Sequence, residues 1–358
     1  MPQFRLNQKP ALPRTPQPIV LIGAGGIVHD AHLPAYRKAD FPVVGIYDLN
    51  AERARALASE FGVDRVFLSL DSAVAEAPAN AVFDVAIPAS GILDVLRFLP
   101  DGRAVLIQKP LGRDLAEARE IVRVCQQKRL LAAVNFQLRY APYVLAARSL
   151  IERGAIGELH DMEVRVSVYT PWNLWSFLRG IPRVEILYHS IHYLDLLRSF
   201  LGEPRGIYAK TLKHPASPDL AATRSTLILD YGATVRACIS TNHGHVFGLR
   251  HQESFIKWEG TKGAIVATLG LLMNYPQGEP DKMEYCIAGS LEPPRWKSVR
   301  LKGSWFPDAF IGTMASVMRW AEDPRERAAT AVEDAAKTMA LAEAAYQSSD
   351  RGGEPVVD

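Results

Sequence analysis

The sequence is poor in cysteine: Cys125, Cys238 and Cys286 stand far apart in a chain of 358 residues. Three cysteines without C-x-x-C spacing exclude a disulfide framework and a structural zinc site, and they fit a reducing compartment. No stretch of about 18 apolar residues runs free of charge, so no segment is expected to cross a membrane. Met1–Gln17 (MPQFRLNQKPALPRTPQ) lacks both an apolar core and a small-residue cleavage pattern. It therefore reads as a Pro-rich arm and not as a secretory signal. Basic residues form no runs, and 41 Lys and Arg against 39 Asp and Glu leave a net charge of only +2. Without a basic field, a nucleic-acid partner is not expected. No internal repeat is visible. Together these absences suggest a cytoplasmic globular protein.

At about 150 residues per domain, the length suggests two domains with proper cores. From Pro18 to Asn135, short apolar runs (Pro18–Gly23, Pro42–Tyr47, Val82–Ile87, Ala104–Ile107, Leu131–Asn135) alternate with amphipathic stretches such as Ala51–Phe61 and Asp114–Lys128. This alternation predicts a doubly wound parallel sheet covered on both faces. After Phe136 the texture changes. Helical patterns over Pro142–Arg153 and Arg183–Leu201 flank a predicted strand at Leu159–Tyr169. Alternating runs follow at Gly206–Thr211, Thr226–Tyr231, Thr234–Thr241, Glu253–Trp258 and Ala264–Thr268. These predict an antiparallel sheet of five or more strands, closed by helices at Ala309–Trp320 and Ala331–Gln347. The expected organisation is an arm (1–17), a nucleotide-binding α/β domain (18–135) and an α+β domain (136–358).

Gly23-Ala24-Gly25-Gly26 follows the first run directly and opens a helix over Ile27–Lys38. Glycines suit a tight turn in which backbone approaches a pyrophosphate at a helix N-terminus. The third position of G-x-G-x-x-G is Val28, so the close helix–sheet contact that Gly or Ala normally makes must be relaxed. Asp48 ends the second run, where a carboxylate can accept both ribose hydroxyls of an adenosine. Capping the following helix is the other role open to it. A carboxylate repels a 2′-phosphate and no Arg follows Asp48 immediately, which favours NAD over NADP, with Arg53 as the contrary sign.

Beyond this unit, the chain resembles the Gfo/Idh/MocA family from Pro18 onward. The resemblance rests on GAGGIVHDAHLPAY (Gly23–Tyr36), QKPLGRDLAEA (Gln108–Ala118), VNFQLRYAP (Val134–Pro142), GAIGEL (Gly154–Leu159), YHSIHYLDLLRSFLG (Tyr188–Gly202) and WEGTKGAI (Trp258–Ile265). It implies a Rossmann domain followed by an open-faced antiparallel sheet, with substrate held between them above a nicotinamide. It also implies a homo-dimer or homo-tetramer. Lys109 matches the family's catalytic lysine, while Gln108 replaces the glutamate of Glu-Lys-Pro. In the helix motif, His192 matches the histidine, Ser190 the glycine, and Tyr188 replaces the aspartate.

The resemblance thus makes Lys109 the group that hydrogen-bonds the reacting oxygen and His192 the general base. Tyr188 would hold the oxygen or relay a proton. At about 100° per residue, Glu185, Tyr188, His189 and His192 share one helix face. The spacing of Glu185, His189 and His192 also suits a divalent metal, but the family ordinarily needs none and none is expected. Gly23, Gly25, Gly26, Ile27, Val28, Asp48, Pro88, Ser90, Lys109 and Asn135 are the expected cofactor contacts. Where the family often carries a histidine four residues after the proline, this chain has Ile92. Gln137, Trp172, Trp175, Arg179 and His189 join Lys109 and His192 as expected substrate contacts, with Trp faces suited to sugar rings. Arg139 and Asn242-His-Gly-His245 are weaker candidates. The expected function is NAD-dependent hydride transfer at a secondary alcohol of a sugar or cyclitol. A redox-neutral glycoside cleavage using NAD transiently, or a nicotinamide-sensing regulator, are the alternatives.

Overall fold

The computed structural model describes residues 6–288 and 293–356, so the first five residues of the arm lie outside the described residues. By packing, the chain divides into two compact units. One comprises Lys9–Tyr140 and Phe306–Met339; the other comprises the described residues among 1–8, 141–305 and 340–358.

The first unit is built on five parallel strands: β1 (Ile19–Ile22), β2 (Val43–Tyr47), β3 (Val82–Val85), β4 (Ala104–Ile107) and β5 (Leu131–Val134), in the order β2-β1-β3-β4-β5. All four residues of β1, β3 and β4 are buried, as a sheet covered on both faces requires. The register aligns Ile22, Val85, Ile107 and Val134. Gly23, Ala86, Gln108 and Asn135 therefore leave the sheet at one carboxyl edge. The crossovers carry α1 (Leu33–Lys38), α2 (Ala51–Phe61), α3 (Leu70–Ala75), α4 (Ala89–Phe98) and α5 (Leu115–Gln127). A π turn over Val28–His32 runs directly into α1.

The second unit contains α6 (Pro142–Glu152), α7 (Ile191–Leu201) and an eight-stranded sheet. Its strands are β6 (Leu159–Ser167), β7 (Gly206–Leu212), β8 (Arg224–Asp230), β9 (Arg236–Asn242), β10 (Glu253–Gly260), β11 (Gly263–Thr268), β12 (Lys282–Ile287) and β13 (Lys297–Ser298). The order is β13-β12-β11-β10-β6-β9-β8-β7. The sheet is antiparallel, as expected, except that β6 and β9 pair in parallel. The exception arises because β6 enters the sheet centrally, before the β7–β8–β9 meander that closes onto it. Alternation gives the sheet two faces. Leu229, Ala237, Met162, Trp258, Ile265 and Tyr285 form one cross-strand row that is buried throughout. Here α7 packs on β6 and α6 on β11.

The last two helices, α8 (Asp308–Glu322) and α9 (Val332–Arg351), were expected with the second domain. Instead α8 lies against β4, β5 and α1, and its Phe310, Met314, Val317 and Met318 share a core with Ile19, Leu21 and Leu106. The division between the units falls within α9. Among its described residues, 6–17, the arm has neither helix nor strand; the N–H groups of Arg14 and Thr15 donate to the Glu322 carboxylate at 3.0 and 2.8 Å.

Candidate functional site

The glycine turn is dictated by geometry at its first residue. Gly23 has φ +112°, and a Cβ there would sit 2.4 Å from the Ala86 carbonyl oxygen, so only glycine fits. A Cβ on Gly25 or Gly26 would meet nothing within 4 Å. Open space thus faces backbone at the start of a helix, where the first N–H groups have no intrahelical acceptor. These residues fit a pyrophosphate. Val28 is fully buried and opens the π turn.

Asp48 ties this turn to the end of β2: Oδ2 accepts from Ala24 N–H and Oδ1 from Asn50 N–H, both at 2.7 Å. It does not cap α2. That role belongs to Asn50, whose Oδ1 accepts from the N–H groups of Glu52 and Arg53 at 3.1 Å each. Arg53 is exposed on the first turn of α2. Pro88 and Ser90, both exposed, flank the start of α4, and Ile92 is a core residue of that helix.

Beyond β4 and β5 lies a buried polar chain. His32 Nδ1 is 2.7 Å from Asp84 Oδ2, which also accepts from the Tyr36 hydroxyl at 2.7 Å. His32 Nε2 faces Gln108 Nε2 at 3.1 Å and Asn135 Nδ2 at 3.3 Å. Gln108 Oε1 accepts from Lys109 N–H at 2.9 Å. The Asn135 side chain, expected at the cofactor, is thus engaged inside the fold, and the Thr313 hydroxyl donates to its Oδ1 at 2.8 Å. Burial draws the Lys109 ammonium down from its ordinary 10.5 to about 8. Gln137 is buried with its Oε1 lacking a hydrogen-bond partner among the described residues. Arg139 pairs with Asp334 at 2.8 Å.

In the second unit, the expected single helix over Arg183–Leu201 is a π turn, Ile186–Ser190, followed by α7. The uniform 100° spacing that put four side chains on one face therefore does not hold. The wider turn has its own signature: the Ser190 hydroxyl donates to Glu185 Oε1, five residues back, at 2.8 Å, and Leu187 N–H donates to the Tyr346 hydroxyl at 3.2 Å. The four side chains meet different neighbours. Glu185 is fully buried and lies 3.4 Å from His243 Nε2, while Thr170 Oγ1 is 2.8 Å from His243 Nδ1. Burial alone would raise the Glu185 carboxyl; His243, with Ser225 and Ser190, outweighs it and holds the group below its usual range.

His189 lies tilted against His243 (4.5 Å between ring centroids) and meets Trp172 and Trp175 edge-on at 5.1 and 6.4 Å. Tyr275 closes on Trp175 at 5.6 Å. Tyr188 instead packs beside Phe177, and burial raises its phenol. His192 stands edge-on to Trp305 at 5.9 Å. Arg179 is exposed and paired with Asp219 at 2.7 Å. Sequence reading missed His32, Asp84, Tyr275 and Trp305. Only Asp84 carried a signal, as a lone carboxylate inside an apolar strand, which demands a buried donor. Among the described residues, no group of three or more His, Cys, Asp or Glu is arranged for a metal, and no helix is long and apolar enough to cross a membrane.

A parallel sheet whose first turn presents glycine backbone to open space, followed by an acid at the end of the next strand, defines a dinucleotide-binding unit. Comparison with known families makes this specific. Residues 18–136 match the oxidoreductase family model with an NAD-binding Rossmann fold, and residues 144–266 match the GFO/IDH/MocA C-terminal domain. The chain belongs to the GFO/IDH/MocA family. It is 26% identical over 345 residues to a D-apiose dehydrogenase of Paraburkholderia graminis, covering 93% of this chain and 87% of that protein. It is 28% identical over 256 residues to an inositol 2-dehydrogenase of Rhizobium meliloti, covering 69% and 74% respectively. In fold it is similar to a levoglucosan dehydrogenase solved with NADH and levoglucosan (TM-score 0.75, 18% identity, covering 94% of this chain and 98% of that one).

Proposed function

We propose that the protein is an NAD-dependent dehydrogenase acting on a secondary alcohol of a sugar or cyclitol. The observation that carries this reading is that the glycine turn and Lys109 leave the same carboxyl edge of one parallel sheet, where ligands of such sheets bind. Gly25, Gly26 and Ile27 would hold the pyrophosphate and Asp48 the adenosine ribose; when bound, NAD supplies the hydride acceptor. Lys109 Nζ donates to the reacting oxygen and stabilises charge on it, and His192 takes the hydroxyl proton. The raised phenol of Tyr188 suits it to donating a hydrogen bond to that oxygen and not to relaying a proton. Trp172, Trp175 and His189 offer flat faces to the apolar side of a sugar ring, with Gln137 and Arg179 as further polar contacts. The nearby Glu185 carboxylate is engaged inside the fold by the Ser190 hydroxyl and lies 3.4 Å from His243 Nε2, which favours a neutral polyol.

The test is NADH formation from NAD with a panel including apiose, inositols and anhydrosugars. Substrate-dependent absorbance that Lys109→Ala abolishes supports the reading. Aglycone release from glycosides without NADH accumulation, or full turnover by Lys109→Ala, overturns it. Asp48 sets a second expectation: NADH binds more tightly than NADPH, and Asp48→Asn narrows the gap. Equal affinities for the wild type would exclude the assigned role of Asp48.

A further inference from the structure

We infer that Asp84, His32 and Gln108 are positioning residues that fix the Lys109 backbone through a chain running on a neutral imidazole, and that Gln108 is the residue that makes this possible. The inference rests on the role proposed for Lys109.

The proton count follows from the donors. Lys109 N–H can only donate, so Gln108 must turn its carbonyl oxygen toward it, 2.9 Å away. The amide nitrogen of Gln108 then faces His32 Nε2 at 3.1 Å and needs a lone pair there. The single imidazole proton is left on Nδ1, 2.7 Å from Asp84 Oδ2. Reversing any one group sets donor against donor or acceptor against acceptor. The groups facing His32 are Tyr36 from its own helix, Asp84 from β3, Gln108 and Asn135 beyond β4 and β5, and the Phe310 ring from α8 at 4.9 Å. Asp84 is the one charge among them.

A glutamate at 108 would change this chain. Its carboxylate would face the Nε2 lone pair and bond only if a second proton converted His32 to imidazolium between two carboxylates. Without that proton the side chain would be repelled, and the Lys109 N–H would lose its acceptor. The amide provides the same two contacts with no titrating step. Net charge is unchanged, because Gln with neutral His replaces Glu with imidazolium.

Nitrogen-15 spectra of histidine-labelled full-length protein read the tautomer directly and need no substrate. The wild type is expected to show His32 as the neutral Nδ1–H form at neutral pH. Gln108→Glu should show an imidazolium population that changes with pH and moves the Lys109 amide resonance with it. Once a substrate is found, kcat of Gln108→Glu should follow that population. Gln108→Leu should lower kcat by about tenfold to a hundredfold with KM little changed. An imidazolium or an Nε2–H form in the wild type overturns the inference whatever the activity, as does Gln108→Leu with wild-type kcat and an unmoved Lys109 amide. If no alcohol is oxidised, the dehydrogenase reading fails while the spectra still decide the chain.

Discussion

Lys109 shows how one residue couples stability to chemistry. Burial lowers its folded value from 10.5 to about 8, so the folded protein releases this proton before the unfolded chain does. Between those two values the unfolded state binds more protons, and stability rises with pH across that window. Lys109→Met should therefore be more stable than wild type at neutral pH, and the advantage should shrink toward pH 10.5 as Lys109 becomes neutral in the unfolded chain as well as in the folded one. Urea midpoints measured against pH check this; parallel curves would remove the burial argument. Catalysis runs the opposite way, since a charged Lys109 is the form that stabilises a developing oxyanion. Turnover should fall as pH rises through about 8 while stability climbs. Removing the His32 imidazole would leave the buried Asp84 carboxylate with the Tyr36 hydroxyl as its remaining donor, and losing a hydrogen bond to a charged group costs about 1.5–3 kcal/mol.

Among elements, the turn after β1 and the two π turns decide where the chemistry sits. Gly23→Ala should destabilise the protein by about 1–3 kcal/mol from backbone conformation alone. The clash of its Cβ with the Ala86 carbonyl would also displace the glycine turn, so NADH affinity should drop together with the melting temperature. Calorimetry and fluorescence titration read the two effects, and unchanged affinity would show that the turn does not hold the cofactor. The strands of this unit were legible because a sheet buried on both faces writes itself as short apolar runs. Gly23 and Asp48 were legible because each closes a run, whereas Lys109 was legible only through the resemblance of Gln108-Lys109-Pro110 to the family's Glu-Lys-Pro. The partners of Gln108 were not: His32 reaches Asp84 from the end of a π turn, and 3.6-residue periodicity has no sign for one. The same blindness placed Glu185, Tyr188, His189 and His192 on one face, where the wider turn sends Glu185 and His189 toward His243, Tyr188 toward Phe177 and His192 toward Trp305.

At the scale of the whole molecule, the eight-stranded sheet poses the remaining question. Its second cross-strand row runs Tyr208, Ile228, Cys238, Glu163, Lys257, Val266 and Glu284, one residue out of phase with the buried row. The β7–β8–β9 end of this row is apolar, and Tyr208 and Ile228 are 68% and 48% exposed, whereas Glu163 and Lys257 follow toward the middle. A twisted sheet buries one face in its own unit; an apolar stretch on the other is the kind of patch that marks an association surface. This face is where the homo-oligomer implied by the family resemblance is tested: isologous pairing there would place each Ile228 in the shared contact. Light scattering at micromolar concentration should then give a dimer or a multiple of it. Ile228→Lys, which puts an unpaired charge in each copy of the contact, should shift the protein toward monomer without lowering its melting temperature at high dilution. A monomeric wild type, or an Ile228→Lys variant that assembles as before, would move the interface elsewhere and leave Tyr208 and Ile228 as isolated exposed side chains.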